Sequence, residues 1–328
     1  MPGGDVAQGW AALAPGGPVG PFETPLPDLL EGDIEIAVDA CGLCHSDVHL
    51  LDDAWRIGGF PVVPGHEIVG RVVQNAACDL PLGTRVGVGW FCGACLNCEW
   101  CTAGQDQLCL GARRTCVGRP GGFADRIRVN AGWAHPLPEG ISSVHAAPLL
   151  CAGATVFAPL SRFDGPRVAV VGIGGLGHLA IQFSRASGRD VHAYTHSPEK
   201  ADEARSLGAT WVGTTASPAK GEYDLVLVTT HESLDWSRWI RALRPRGVLC
   251  LLGVPEQPVR FSAGHLVGLE RSIIGGLTPG RAGVRRTLTF AAEQGIRPRV
   301  EVLPFTQICT AIDRLRNGDV RYRLVLEG

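Results

Sequence analysis

The chain has 328 residues, 45 % of them hydrophobic and 19 % charged, which predicts about two domains at roughly 150 residues each and excludes global disorder. Thirty basic against 32 acidic residues leave a net charge of −2, so no basic footprint marks a nucleic-acid or anionic-membrane partner. The 44 glycines follow no strict three-residue period, which excludes collagen.

The opening MPGGDVAQGW lacks a basic stretch followed by an apolar one, so no signal peptide is expected and the default location is cytoplasmic. The first twenty residues look like a Gly/Pro-rich low-complexity segment. Residues 1–150 then hold short β-type runs separated by turn signals: Asp33–Asp39, Glu67–Gln74, Arg85–Gly89 and Phe123–Val129. They predict an irregular all-β region. After residue 151 strand and helix alternate. Pro166–Val171, Val191–Thr195, Tyr223–Thr230 and Gly247–Gly253 read as strands, with helices at His178–Ser187, Glu199–Leu207 and Leu234–Leu243. Short apolar strands between helices imply parallel βαβ units, covered on both faces. Thr287–Glu293 and Ile308–Arg316 read as helices, and Tyr322–Leu326 as a closing strand. No run of about 18 apolar residues without a charge is recognised, which argues against a spanning helix.

Gly172, Gly174 and Gly177 form G-x-G-x-x-G, with Gly175 and Leu176 between them. Alone the pattern is weak in a glycine-rich chain, but here it follows a strand and opens a helix. The three glycines permit a tight turn, close approach of a pyrophosphate and close helix–strand packing. The helix N-terminus adds free N–H groups for the phosphate. The next strand ends at Thr195, His196 and Ser197, with Lys200 soon after and no acidic residue before Glu199. Hydroxyl donors and a cation, where a carboxylate would select NAD(H), predict a preference for NADP(H). Ser197 also reads as a helix N-cap followed by Pro198.

Twelve cysteines in a reducing compartment point to metal before disulfides. Cys95, Cys98, Cys101 and Cys109 can close a tetrahedral thiolate shell around a structural zinc. Cys92 offers another first ligand at the same spacing. The Cys95–Cys109 set is preferred because Gly104 supplies a turn before Cys109. Cys44, His66 with Glu67, and Cys151 form a second, dispersed group that spacing alone does not unite.

The string CGLCHSDVH, then PGHE, the cysteine lobe, Cys151 and GIGGLG resembles the zinc-dependent medium-chain alcohol dehydrogenases across nearly the whole chain, closest in flavour to the cinnamyl-alcohol-dehydrogenase-like branch. The resemblance implies an α/β protein. A GroES-like irregular β catalytic domain (1–151 and 275–328) would flank a Rossmann domain with a doubly wound parallel sheet (152–274), and the active site would lie in the cleft between them. It implies two Zn²⁺ per chain. Cys44, His66 and Cys151 would hold the catalytic one, with Glu67 behind His66 and Asp47 orienting a ligand. Ser46 and His49 would form the proton relay. His45 and Arg323 would meet the cofactor phosphates, Thr155 the nicotinamide, and Leu252, Gly253 and Val254 its carboxamide. Trp55, Trp90 and Phe91 would line an apolar or aromatic substrate pocket, with core packing as the alternative role. Thr84 stands where a GDRV turn usually has Asp. The expected activity is hydride transfer between NADP(H) and an alcohol or aldehyde by a homodimer, or a tetramer. The alternatives are an NAD-linked polyol or secondary-alcohol dehydrogenase and a non-catalytic, zinc-stabilised dinucleotide-binding protein.

Overall fold

The computed structural model describes residues 5–328, and the chain divides into two compact units. The first contains the chain up to Cys151 with Pro279–Ala292 and Pro298–Gly328; the second contains Ala152–Thr278 and Glu293–Arg297. Side-chain bonds explain where these borders depart from residue 275. Thr278 shares a 2.7 Å hydroxyl–hydroxyl bond with Thr155, which keeps Gly275–Thr278 with the second unit. The Arg297 carbonyl accepts from Gln182 Nε2 at 3.1 Å. Arg281 instead donates to Asp106 at 2.6 Å, tying the start of helix Arg281–Glu293 to the first unit.

The first unit is built on a seven-stranded, mostly antiparallel sheet. Its long strand Asp33–Leu43 pairs with Glu67–Asn75, Arg126–Asn130 and Arg323–Glu327, and irregularities beside Glu35 and Val38 let it serve these partners. Ile34, Ile36, Ile68 and Leu43 are fully buried, each contributing about 1.5–3 kcal/mol of apolar burial. The supposed low-complexity start is instead a hairpin. Val6–Ala12 pairs antiparallel with Val19–Pro25, and Trp10 stacks on Phe305 at 5.5 Å. The expected strand Phe123–Val129 begins only at Arg126. Phe123 is engaged elsewhere: its N–H donates to Pro64 O, and its carbonyl accepts from Trp10 N–H.

The second unit holds a six-stranded, all-parallel sheet. Its order is Trp211–Gly213, Asp190–Tyr194, Arg167–Val171, Tyr223–Val228, Leu243–Leu251 and Ser272–Gly275. That is the 3-2-1-4-5-6 order of a Rossmann sheet. Ala169, Val170, Val171, Val226 and Val228 are fully buried, as expected for strands covered on both faces.

One expectation is corrected outright. Ser143–Leu160 carries no Asp, Glu, Lys or Arg, and its mean hydropathy of 1.4 makes it long and apolar enough to cross a membrane. Pro148 and Pro159 inside the stretch disguised it as broken. It is 67 % buried within the protein, as a core helix is, and it changes to a π-turn over Leu149–Gly153.

Candidate active site

Asp47 organises the first unit's site. It sits in the first turn of helix His45–Leu51 and is completely buried. A buried carboxylate needs donors, and it has three. Its Oδ2 accepts the Cys44 N–H at 2.9 Å, and its Oδ1 accepts the Gly65 N–H and His66 Nδ1, each at 2.9 Å. One side chain thereby fixes the helix start carrying Cys44, the turn before His66 and the His66 ring. With Nδ1–H donated to Asp47, His66 Nε2 keeps a free lone pair. Gly65 makes this turn possible. Its φ is +96°, and a Cβ there would lie 2.6 Å from the Phe123 ring and 2.8 Å from Cys41 Sγ.

The three dispersed residues converge. The ligand atoms of Cys44, His66, Glu67 and Cys151 all lie within 4.8 Å of one another, and His66 Nε2 is 3.4 Å from Cys151 Sγ. Cys151 lies in the π-turn, a local widening that recurs at functional sites. Two thiols and an imidazole are a zinc donor set with room for a fourth ligand. The hydrogen bond from Cys151, aided by His66 and Arg323, holds the Cys44 thiol well below its ordinary range. For His66 burial works against protonation, but Asp47 more than offsets it.

Glu67 lies behind the cage. Its Oε1 pairs with the buried Arg323, whereas Oε2 is buried without a hydrogen-bond partner among the described residues. Burial pushes its carboxyl up to about 7, against the opposing pull of Arg323. Gly42 opens the slot for it, since a Cβ there would fall 2.0 Å from Oε2. Ser46 Oγ lies 3.8 Å from Cys44 Sγ. His49 follows three residues later on the same helix face, its ring 4.9 Å from that of Trp55. Trp90 meets the His66 ring edge-on at 5.0 Å and Trp55 at 6.0 Å. Phe91 is buried in the unit's apolar core.

Cys95, Cys98, Cys101 and Cys109 form the second cluster. Cys95 Sγ is 3.9 Å from Cys101 and 3.5 Å from Cys109, near the roughly 3.8 Å edge of a tetrahedron with zinc–sulfur bonds of about 2.3 Å. Backbone N–H groups of Asn97 and Cys98 lower the Cys95 thiol to about 6, while burial raises Cys101 to about 12. Gly104, at φ +70°, turns the chain between Cys101 and Cys109. Cys92 stands outside the cluster, donating toward Arg113 O and accepting from Arg119.

In the second unit the glycine turn divides its labour as the motif requires. Gly172 has φ +94°. At Gly177 a Cβ would lie 1.9 Å from Gly172 O, whereas at Gly174 it would meet nothing within 4 Å. That open side suits a pyrophosphate. His178 Nδ1 and N–H both bond Gly174 O, at 2.9 and 3.1 Å, a restraint the sequence alone did not signal. Lys200 Nζ donates to Ile173 O at 3.2 Å. Thr195 Oγ1 accepts the Ser197 N–H at 3.0 Å. Ser197 occupies the N-cap position before Pro198 but makes no side-chain cap bond. Leu252 and Gly253 N–H groups bond Val228 O, and Val254 is exposed. His45 is exposed at the first position of its helix.

Residues 30–139 match the model of the alcohol dehydrogenase GroES-like domain and residues 175–293 that of the zinc-binding dehydrogenases. The chain is 39 % identical over 331 residues to an aldehyde reductase, AdhA, of Synechocystis sp., covering 98 % of both chains. It belongs to the zinc-dependent alcohol dehydrogenase family. This dehydrogenase is an oxidoreductase of alcohols and aldehydes, like its relatives. It is 36 % identical to a probable cinnamyl alcohol dehydrogenase of Arabidopsis thaliana over 98 % of this chain and 94 % of that one. It is also 36 % identical to an NADP-dependent alcohol dehydrogenase C of Mycobacterium tuberculosis over 90 % of each. Among solved structures it resembles a cinnamyl alcohol dehydrogenase of Sorghum bicolor, with a TM-score of 0.93, 32 % identity and 98 % of both chains covered.

Proposed function

We propose that this dehydrogenase interconverts primary aliphatic or aromatic alcohols and aldehydes with NADP(H) as the preferred cofactor and two zinc ions per chain. The observation that carries the reading is the convergence of Cys44, His66 and Cys151, with the His66 ring oriented by Asp47. Cys44, His66 and Cys151 would hold the catalytic zinc with Glu67 in reserve, and Cys95, Cys98, Cys101 and Cys109 the structural one. Bound zinc supplies a Lewis acid toward the substrate oxygen, and NADP(H) supplies the hydride. Asp47 keeps the His66 lone pair on the metal side. Ser46 gives a proton to the reacting oxygen during reduction, and His49 exchanges that proton with solvent. Trp55, Trp90 and Phe91 offer apolar surface for the substrate, and all three also pack in or against the first unit's core.

The cofactor reading rests on Gly172–Gly177 for the pyrophosphate, and on Thr195, Ser197 and Lys200 for the 2′-phosphate. Among the relatives, the mycobacterial enzyme is named NADP-dependent, and the matched structure of a cinnamyl alcohol dehydrogenase from Helicobacter pylori is a complex with NADP(H). His45 and Arg323 would serve the phosphates, and Thr155, Leu252, Gly253 and Val254 the nicotinamide end. Twelve free cysteines accord with a cytoplasmic setting. Strand Ser272–Gly275 ends its sheet beside the exposed Val267, Leu269 and Leu277, which supports assembly as a homodimer, with a tetramer as the alternative.

The test is a panel of aromatic and aliphatic aldehydes and sorbitol, each with NADPH and NADH, followed at the nicotinamide absorbance. Aldehyde turnover favouring NADPH is expected. Sorbitol oxidation with NAD⁺ as the best reaction would overturn the proposal, as would no turnover at all.

A further inference from the structure

A cavity of about 900 Å³ opens in the first unit, within the usual size of small-molecule sites. It shares no lining residue with the zinc cage or with Ser46, His49, Trp55 and Trp90. Its apolar walls include Leu26, Val117, Ile127, Val129 and Trp133, and Cys92 and Arg119 line it with them. Leu26, Ile127, Val129 and Trp133 are buried.

Arg119 is the unusual member. It is half-buried. Its Nη2 donates to Arg128 O at 2.6 Å, and its Nη1 donates toward Cys92 Sγ at 3.5 Å. Among the described residues no carboxylate pairs with it. Neighbouring Arg128 differs, because Glu35 and Asp5 neutralise it. A guanidinium withdrawn from water is costly without a counter-ion, and here the open side is an apolar-walled cavity. The acidic residues of the lining do not fill the role. Asp33 accepts from Leu30 N–H and Asn130, while Asp28 and Glu31 are exposed. The rim carries both signs, exposed Asp28 and Glu31 with exposed Arg113 and Arg114, so its charges offset one another, and Arg119 is the half-buried cation left to match a single negative charge.

We propose that this cavity binds a monocarboxylate with an apolar chain, its carboxylate paired with Arg119 and its chain against Val117, Val129 and Trp133. The site lies beside the cysteine lobe, because Ala94 and Leu96 line it on either side of Cys95. It is a binding site separate from the one at which alcohols and aldehydes react, and it goes beyond the function proposed above.

The probe is decanoate, titrated calorimetrically into the zinc-loaded enzyme with saturating NADPH, with decyltrimethylammonium as the cationic control. Decanoate is expected to saturate one site per chain, and the cation not to bind. Arg119→Gln should weaken decanoate by about tenfold or more, the loss of one charge-assisted pair, and Arg119→Lys should recover part of it. Val117→Glu, which brings an internal counter-ion to the cavity, should also abolish binding. All three variants should keep the wild-type KM for aldehyde. Equal decanoate affinity in the wild type and in Arg119→Gln or Val117→Glu would overturn the assignment. So would displacement of decanoate by aldehyde in direct competition, which would place it at the zinc cage.

Discussion

Replacing Asp47 by Asn tests the site most sharply, because the change keeps the shape and removes only charge and one acceptor. Asp47 receives the Cys44 N–H on one oxygen and the Gly65 N–H and His66 Nδ1 on the other, all at 2.9 Å in a fully buried place. An amide has one oxygen. Kept where Oδ1 now lies, it serves Gly65 and His66, but its NH₂ then faces the Cys44 N–H. Flipped, the NH₂ faces two donors. The better arrangement loses one hydrogen bond to a charged group, about 1.5–3 kcal/mol, and strands a buried donor at about 1–3 kcal/mol more. A total of about 2.5–6 kcal/mol falls on the two segments that present Cys44 and His66. Outer partners of metal ligands typically govern about 10–100-fold in metal affinity. Zinc analysis after dialysis against a mild chelator should fall from about two ions per chain toward about one, the Cys95–Cys109 cluster keeping its own. Turnover should fall with the lost metal and recover partly in excess zinc. Retention of both ions and of full activity in Asp47→Asn would refute the claim that this carboxylate sets the ligand geometry.

Gly65→Ala should cost several kcal/mol and also lose zinc, since the new methyl would lie 2.6 Å from the Phe123 ring at φ +96°; thermal unfolding and metal content measure both, and wild-type values would contradict the strain argument. Thr195→Asp keeps an acceptor for the Ser197 N–H but adds a negative charge, so NADPH should bind about tenfold or more weakly while NADH is spared, measured by nicotinamide fluorescence. Burial, with Arg285 and Arg281 adding to it, lowers His135 to about 3 from 6.5. Because its folded value is depressed, its contribution is whole above pH 6.5 and is lost as pH falls toward 3, reaching about 2 kcal/mol by pH 5. His135→Gln should flatten that part of the stability–pH curve in denaturant titrations, and an unchanged slope would count against the assignment.

What could be read from the sequence was what neighbours in the chain decide together. The glycine turn, the strand–helix alternation after residue 151 and the Cys95–Cys109 spacing are local patterns, and each has a local physical cause. The opening hairpin escaped because glycine and proline hid its strands, which are held by pairing to each other and by Trp10 stacking on Phe305. Prolines likewise hid the helical run Ser143–Leu160. Long-range partners were the least visible. The bond between Glu67 and Arg323 spans 256 positions. In the second unit the Tyr194 and Tyr223 hydroxyls bond at 2.6 Å, and Tyr223 also meets His192 Nδ1 at 2.8 Å. These rings meet across the strand Arg167–Val171, which lies between theirs in the sheet. No spacing in the sequence announces such a chain of hydroxyls.

Gly42 carries a consequence out of proportion to its size. A methyl group at position 42 would fall 2.0 Å from the carboxylate oxygen that uses the space glycine leaves, so Glu67 would have to move. With zinc bound as proposed, the hollow would hold a carboxylate in reserve beside Cys44, His66 and Cys151. A chain with a larger residue at 42 would need a shorter one at 67, and the two positions should tolerate change only as a pair.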